Sequence, residues 1–138
     1  LTYGLERLAM YLQGVDRFTD LAFNDPDGPA PVTYGEVFLE NERQHSTANF
    51  EGYDVATLKR QFEDMEIQVP RILALKGPQG QAVVLPAYDH VLKASHLFNL
   101  MDARGAIAVA ERQSYIGRIR DLTKMCAEAW AANERANG

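Results

Sequence analysis

Two side chains near the start of this sequence have types and spacing that can do chemistry: Glu6 and Arg7, directly behind Gly4 in Tyr3-Gly4-Leu5-Glu6-Arg7-Leu8-Ala9-Met10-Tyr11. Leu5, Leu8, Ala9 and Leu12 follow at helical spacing, so a glycine turn leading from an extended segment into an amphipathic helix is expected, with those four residues forming a buried stripe. Glu6 and Arg7 then occupy the first turn, where unpaired N–H groups and the positive end of the helix dipole favour anions. An arginine is poorly placed there unless a phosphate shares the position, because the guanidinium fork and the helix N-terminus can grip the same anion. The plainer alternative is an ordinary helix start. Glu6 has two readings as well: it holds a substrate ammonium, or it complements the dipole.

The elements that position these residues can be read outward from this point. Asn24-Asp25-Pro26-Asp27-Gly28-Pro29-Ala30-Pro31 is dense in turn formers and reads as a surface loop. Its acidic residues lack the spacing and glutamate of a calcium loop. Thr33-Tyr34-Gly35-Glu36 is a capping box, so a helix should start there, anchored by Val37 and Phe38. From Glu40 to Asn49 no large apolar side chain follows, which leaves either a solvated face or polar groups that meet a partner or cleft.

Asp54 is a good N-cap, and Val55, Leu58, Phe62, Met65, Val69 and Ile72 form one seam, predicting a helix from about Val55 to Lys76. Pro70 removes one hydrogen bond within it, so a kink or break is expected there, yet the apolar seam runs through it and argues for continuation. Gly77-Pro78-Gln79-Gly80 ends it. A helix beginning at Leu85-Pro86-Ala87 should turn Tyr88, Val91, Leu92, Ser95, Phe98 and Met101 inward. After Asp102-Ala103-Arg104-Gly105, a last helix from about Ala106 to Arg135 should bury Ile107, Val109, Ile116, Ile119, Leu122, Cys126, Ala129 and Trp130, with frayed ends beyond Ala132. Its basic middle, Arg112, Arg118, Arg120 and Lys124, is offset by Glu111, Asp121 and Glu128, which suggests a solvated face with i,i+4 pairs.

Composition narrows the classes. The 138 residues fit one domain, 46% of them apolar and 24% charged, near the globular average. A net charge of −5 argues against binding nucleic acid by bulk electrostatics. Cys126 is the single cysteine, so no intrachain disulfide can form, and inside an apolar run it reads as a small buried hydrophobe. His90 and His96 point to different sides of one helix and have no partner at metal-ligand spacing. No apolar run spans a bilayer, no signal peptide is visible, and the cytoplasm is the expected compartment.

Taken together, these residues carry a resemblance. Gly4-Leu5-Glu6-Arg7 resembles the third signature motif of class II aminoacyl-tRNA synthetases, a strand-turn-helix whose arginine binds the terminal phosphate of ATP. With Met10-Tyr11-Leu12-Gln13-Gly14-Val15-Asp16, the stretch is similar to the α subunit of the two-subunit, bacterial-type glycyl-tRNA synthetase. Thr33 to Phe38, Asn49-Phe50-Glu51, Leu85 to Tyr88, Leu100 to Arg104 and Glu111 to Ile116 continue it in order along nearly the whole chain.

The resemblance implies a mainly α fold: a bundle of about five helices, preceded by the motif 3 edge of an antiparallel sheet domain that is mostly absent. Residues 1–23 would be the catalytic edge, 24–32 a linker and 33–138 a C-terminal helical domain. The two earlier class II motifs have no room here and Leu1 is not an initiator methionine, so the chain is expected to be the C-terminal portion of the subunit and inactive alone. The implied reaction is attack of the glycine carboxylate on the α-phosphorus of ATP, giving glycyl-adenylate and pyrophosphate, then transfer of the glycyl group to the 3′ end of tRNA(Gly) with release of AMP, with Mg2+ accompanying ATP and no permanent cofactor. Arg7 would be catalytic and ATP-binding, Gly4 would allow close approach to ATP, and Glu6 is the candidate for the glycine ammonium. Implied partners are a second α subunit and two β subunits that carry most tRNA binding. A non-catalytic helical interaction module is the rival reading; a helix-turn-helix regulator fits poorly with the acidic balance.

Overall fold

The computed structural model describes residues 3–137, a mainly α chain of five helices. They are α1 (Leu5–Gln13), α2 (Tyr34–Thr47), α3 (Val55–Leu73), α4 (Val84–Ala103) and α5 (Val109–Asn137). Among the described residues there is no strand, only the isolated bridges Ala22–Thr33 and Lys76–Ala82. The strand expected ahead of Gly4 falls largely on Leu1 and Thr2, outside the described residues. The chain divides into two compact units, Leu1–Gly52 and Tyr53–Gly138.

In the first unit, α1 ends on Gly14, whose φ of 66° is left-handed and releases the chain into a 3-10 turn at Phe18–Asp20. The Asn24–Pro31 loop closes on itself: the Phe23 N–H donates to Val32 O at 2.9 Å, and the Asn24 amide bonds both Ala30 O and the Val32 N–H. The capping box forms as expected. Thr33 Oγ1 accepts from the Glu36 N–H at 3.2 Å, and the Glu36 carboxylate accepts from the Thr33 N–H at 2.7 Å. Those bonds stabilise the ionised carboxylate and hold the Glu36 pKa below its ordinary value. Phe38 makes ring contacts to Phe23 and Tyr34, though it and Val37 both remain exposed. Gly35 is dictated by space, since a Cβ there would sit 2.8 Å from the Thr19 carbonyl oxygen. The polar run ends in a π turn, Ala48–Gly52.

The second unit is a three-helix bundle. Asp54 caps α3 by accepting from the Thr57 N–H at 2.8 Å, and this bond lowers the Asp54 pKa. The Val55–Ile72 seam is inward as predicted, with Phe62 and Val69 fully buried. Helix α3 runs through Pro70 to Leu73 without a break, because packing on both sides of the proline outweighs one lost hydrogen bond. In α4 the buried face is Val84, Ala87, Val91, Ala94, Phe98 and Met101. This corrects the expected face: Tyr88 and Leu92 are exposed, because the true stripe follows alternating steps of three and four that pass through Ala87 and Ala94. Both alanines have no accessible surface, and their small side chains let the helices approach closely.

Helix α5 begins at Val109, three residues later than expected. Ile107 is buried ahead of it, Ile116, Ile119, Leu122, Cys126 and Ala129 pack inward, and Val109 (91% exposed) and Trp130 (46%) do not. Val109 stands on the first turn, before α5 reaches its neighbours. Burial raises the Cys126 thiol pKa, in keeping with a small buried hydrophobe. The expected fraying beyond Ala132 gives way to helix up to Asn137. The reason is Asn133, whose side-chain amide accepts from the Ala82 N–H at 3.0 Å and donates to Ala82 O at 2.9 Å. The basic middle of α5 is largely the solvated face expected, with Arg112, Arg120 and Lys124 exposed and Arg118 the exception. Arg112 pairs with Asp102 at 3.0 Å, Arg118 makes a two-pronged pair with Glu66, and Lys124–Glu128, at 3.8 Å, follows the i,i+4 pattern.

Candidate functional site

The first turn of α1 carries the sequence-predicted residues. Gly4 is its N-cap, extended at φ −78° and ψ 91°, and no side chain caps the helix. The Leu8 N–H reaches Gly4 O at 3.1 Å, so the earlier amides of the turn are free of any capping side chain and stand where an anion is favoured. A Cβ at Gly4 would meet only the Arg7 Cβ, at 3.7 Å, an ordinary contact. No contact among the described residues therefore demands glycine at position 4. Arg7 is exposed and forms no ion pair among the described residues.

Glu6, one position before Arg7, lines a shallow cavity of about 170 Å³ together with Leu5, Ala9, Leu21, Ala22 and Tyr34. Arg7 is not among the cavity's lining residues, so Glu6 and Arg7 serve neighbouring but separate surfaces of the turn. Two alanines leave the cavity open and two leucines make it apolar. The Tyr34 phenol pKa is raised, first by partial burial, then by the negative charges of Glu6 and Glu42.

The far side of the cavity is held by backbone. Gln13 Oε1 accepts from the Ala22 N–H at 2.8 Å, and Gln13 Nε2 donates to Ala22 O. The Tyr34 N–H donates to Leu21 O at 2.7 Å, and the Tyr34 ring packs edge-on to Phe18 and tilted against Phe38. Gln13 and Tyr34 were not singled out from sequence as site residues. The capping box located Tyr34 but not the surface it would face, and nothing local marks Gln13 as the partner of a residue nine positions later.

The expected buried stripe of α1 is corrected. Leu5 is 70% exposed, Leu8 50% and Leu12 81%, because no apolar layer opposes them among the described residues. Metal-ligand clusters of three or more His, Cys, Asp or Glu are absent among the described residues. His90 Nδ1 lies 2.8 Å from the carbonyl oxygen of Pro86 in its own helix.

The described residues thus hold a helix start that no side chain caps, with an exposed arginine in its first turn, and a three-helix bundle in the second unit. Comparison with known families identifies the protein further: the family described as glycyl-tRNA synthetase alpha subunit matches residues 1–135 of the chain. The chain belongs to that family. Its family activity is that of a glycine–tRNA ligase, an aminoacyl-tRNA synthetase for which ATP is a substrate, and an alpha subunit works with a partner subunit. No helix among the described residues is long and apolar enough to cross a membrane.

Proposed function

We propose that the first turn of α1 is one edge of the adenylate-forming site, with Arg7 holding the triphosphate of ATP. The observation that carries this reading is an exposed arginine without an ion pair, on a helix start that no side chain caps. Both features favour an anion at the same place. Gly4 gives the phosphates room to approach the backbone. Adenylate formation is in-line attack of a carboxylate on phosphorus, for which the protein supplies position and charge neutralisation, and Arg7 supplies both.

Glu6 faces the cavity beside this turn and is the candidate for the glycine ammonium. Mg2+ accompanies ATP in this reading. In this reading the chain is the C-terminal portion of a cytoplasmic alpha subunit. It pairs with a second alpha subunit and two beta subunits, meets tRNA(Gly) mainly through beta, needs no permanent cofactor, and does not activate glycine alone. In functional terms we assign residues 1–23 to the catalytic edge, 24–32 to a connecting loop and 33–138 to the helical part, a division that cuts across the first compact unit rather than following its limit at Gly52.

The test is glycine-dependent ATP–pyrophosphate exchange by the complete subunit carrying Arg7→Ala. Loss of a charge-assisted contact to the reacting nucleotide lowers the rate by orders of magnitude. Exchange within a few-fold of wild type would make α1 only a helix start and favour a non-catalytic interaction module.

A further inference from the structure

Resting on that reading, we infer that Tyr34 is the second wall of the amino-acid subsite, its ring and Glu6 enclosing a small primary ammonium in the cavity between α1 and the start of α2. Glu6 and Tyr34 are the polar members of a lining otherwise made by Leu5, Ala9, Leu21 and Ala22. A carboxylate and an aromatic ring are the two groups that attract an ammonium, the first by its charge and the second by its quadrupole. Apolar walls strengthen both by displacing water. The volume of about 170 Å³ suits a ligand of a few heavy atoms rather than a large side chain.

The position of Tyr34 is fixed, which a recognition group requires. Its N–H is bonded to Leu21 O at 2.7 Å, its ring is held by Phe18 and Phe38, and the Thr33–Glu36 capping box sets the turn that carries it. A phenol is neutral near pH 7, and partial burial, then the negative charges of Glu6 and Glu42, raise its pKa further, so the wall adds no competing anion. A cation between them relieves that field.

The experiment uses the complete subunit with its partner subunit and reads the KM values for glycine and for ATP separately in the exchange assay. Tyr34→Leu raises the glycine KM about tenfold, the size of a desolvated cation–π contact, with the ATP KM within about twofold. Tyr34→Phe keeps the ring and stays within about threefold for glycine. Ala22→Val, which narrows the cavity and leaves both polar walls in place, also raises the glycine KM selectively. Because KM is read on the folded fraction alone, partial unfolding of any variant does not imitate this pattern. An unchanged glycine KM in both Tyr34→Leu and Ala22→Val, while Arg7→Ala abolishes exchange, removes Tyr34 from the subsite and leaves the α1 reading standing. Full exchange by Arg7→Ala overturns the α1 reading and this subsite with it.

Discussion

Replacing Arg118 with alanine should destabilise the three-helix unit by about 2–3 kcal/mol, and the sum can be built from its contacts. The guanidinium makes two bonds to Glu66, one at 2.7 Å from Nε to Oε1, and lies 4.6 Å from the Phe62 ring centroid and 4.8 Å from that of Tyr115. Its side chain is 34% exposed and that of Glu66 24%, so solvent screens the pair and it contributes only about 1 kcal/mol. Two partly desolvated ring contacts add about 0.5–1 kcal/mol each. Arg118→Lys keeps the charge and loses the fork, so about half of the effect remains. For a unit of this size each kcal/mol lowers the midpoint by roughly 4–8 °C, read by circular dichroism on heating. Glu66 raises the Arg118 pKa further above its already high ordinary value. A raised pKa stabilises the fold at every pH below the unfolded value and is lost only above it, so the Arg118 effect should be flat from pH 5 to 9. The decisive measurement is a double-mutant cycle of Arg118→Ala with Glu66→Ala. A coupling below about 0.3 kcal/mol would refute the two-pronged pair as a source of stability.

Other outcomes follow from single contacts. Gly35→Ala places a methyl 2.8 Å from Thr19 O and should cost about 1–3 kcal/mol in urea unfolding, with the damage beside Tyr34. Asn133→Ala leaves the part-buried N–H and C=O of Ala82 without their partner, costs about 1–3 kcal/mol, and should speed hydrogen exchange of the Ala82 amide. The pKa of Glu36 is lowered, so the capping box stabilises the fold above the carboxylate's unfolded pKa and is lost as pH falls through the folded one. Glu36→Gln should therefore flatten the acid limb of the first unit's stability, measured by thermal melting between pH 3 and 7.

Local chemistry made much of this architecture legible. Thr33 with Glu36, and Asp54 with Thr57, are bonds between close neighbours, and sequence contains both partners of each. The α3 seam was readable because its inward residues are large and apolar. The α4 face was misread because two of its inward residues are alanines, which periodicity discounts, while Tyr88 and Leu92 attract attention and lie outside. The pairs Gln13 with Ala22, Asn133 with Ala82 and Arg118 with Glu66 were invisible for a different reason: each joins groups whose meeting depends on packing, the last two across about fifty residues. The site divides in the same way. Glu6 and Arg7 were found because their types conflict with or fit a helix start, whereas Tyr34 enters only once the chain has turned back through Leu21 and Ala22.

The pairing of the basic residues bears on where tRNA is held. Phosphate binding requires cations that exchange salt counterions for phosphates, and its strength grows with the number of such cations. On α5, three of the four basic residues of the middle, Arg112, Arg118 and Lys124, already face Asp102, Glu66 and Glu128, leaving Arg120 exposed, and the chain as a whole carries −5. Bringing an RNA backbone to this helix would break carboxylate pairs and set the released carboxylates against phosphate. That opposition supports our proposal that the beta subunit carries most tRNA contact. Arg7 forms no ion pair among the described residues and stands on a helix start that no side chain caps. In our proposal Arg7 meets a single polyphosphate rather than a polymer, so Arg7→Ala should abolish exchange in the complete subunit while leaving its affinity for tRNA(Gly), measured by filter binding, within about twofold of wild type.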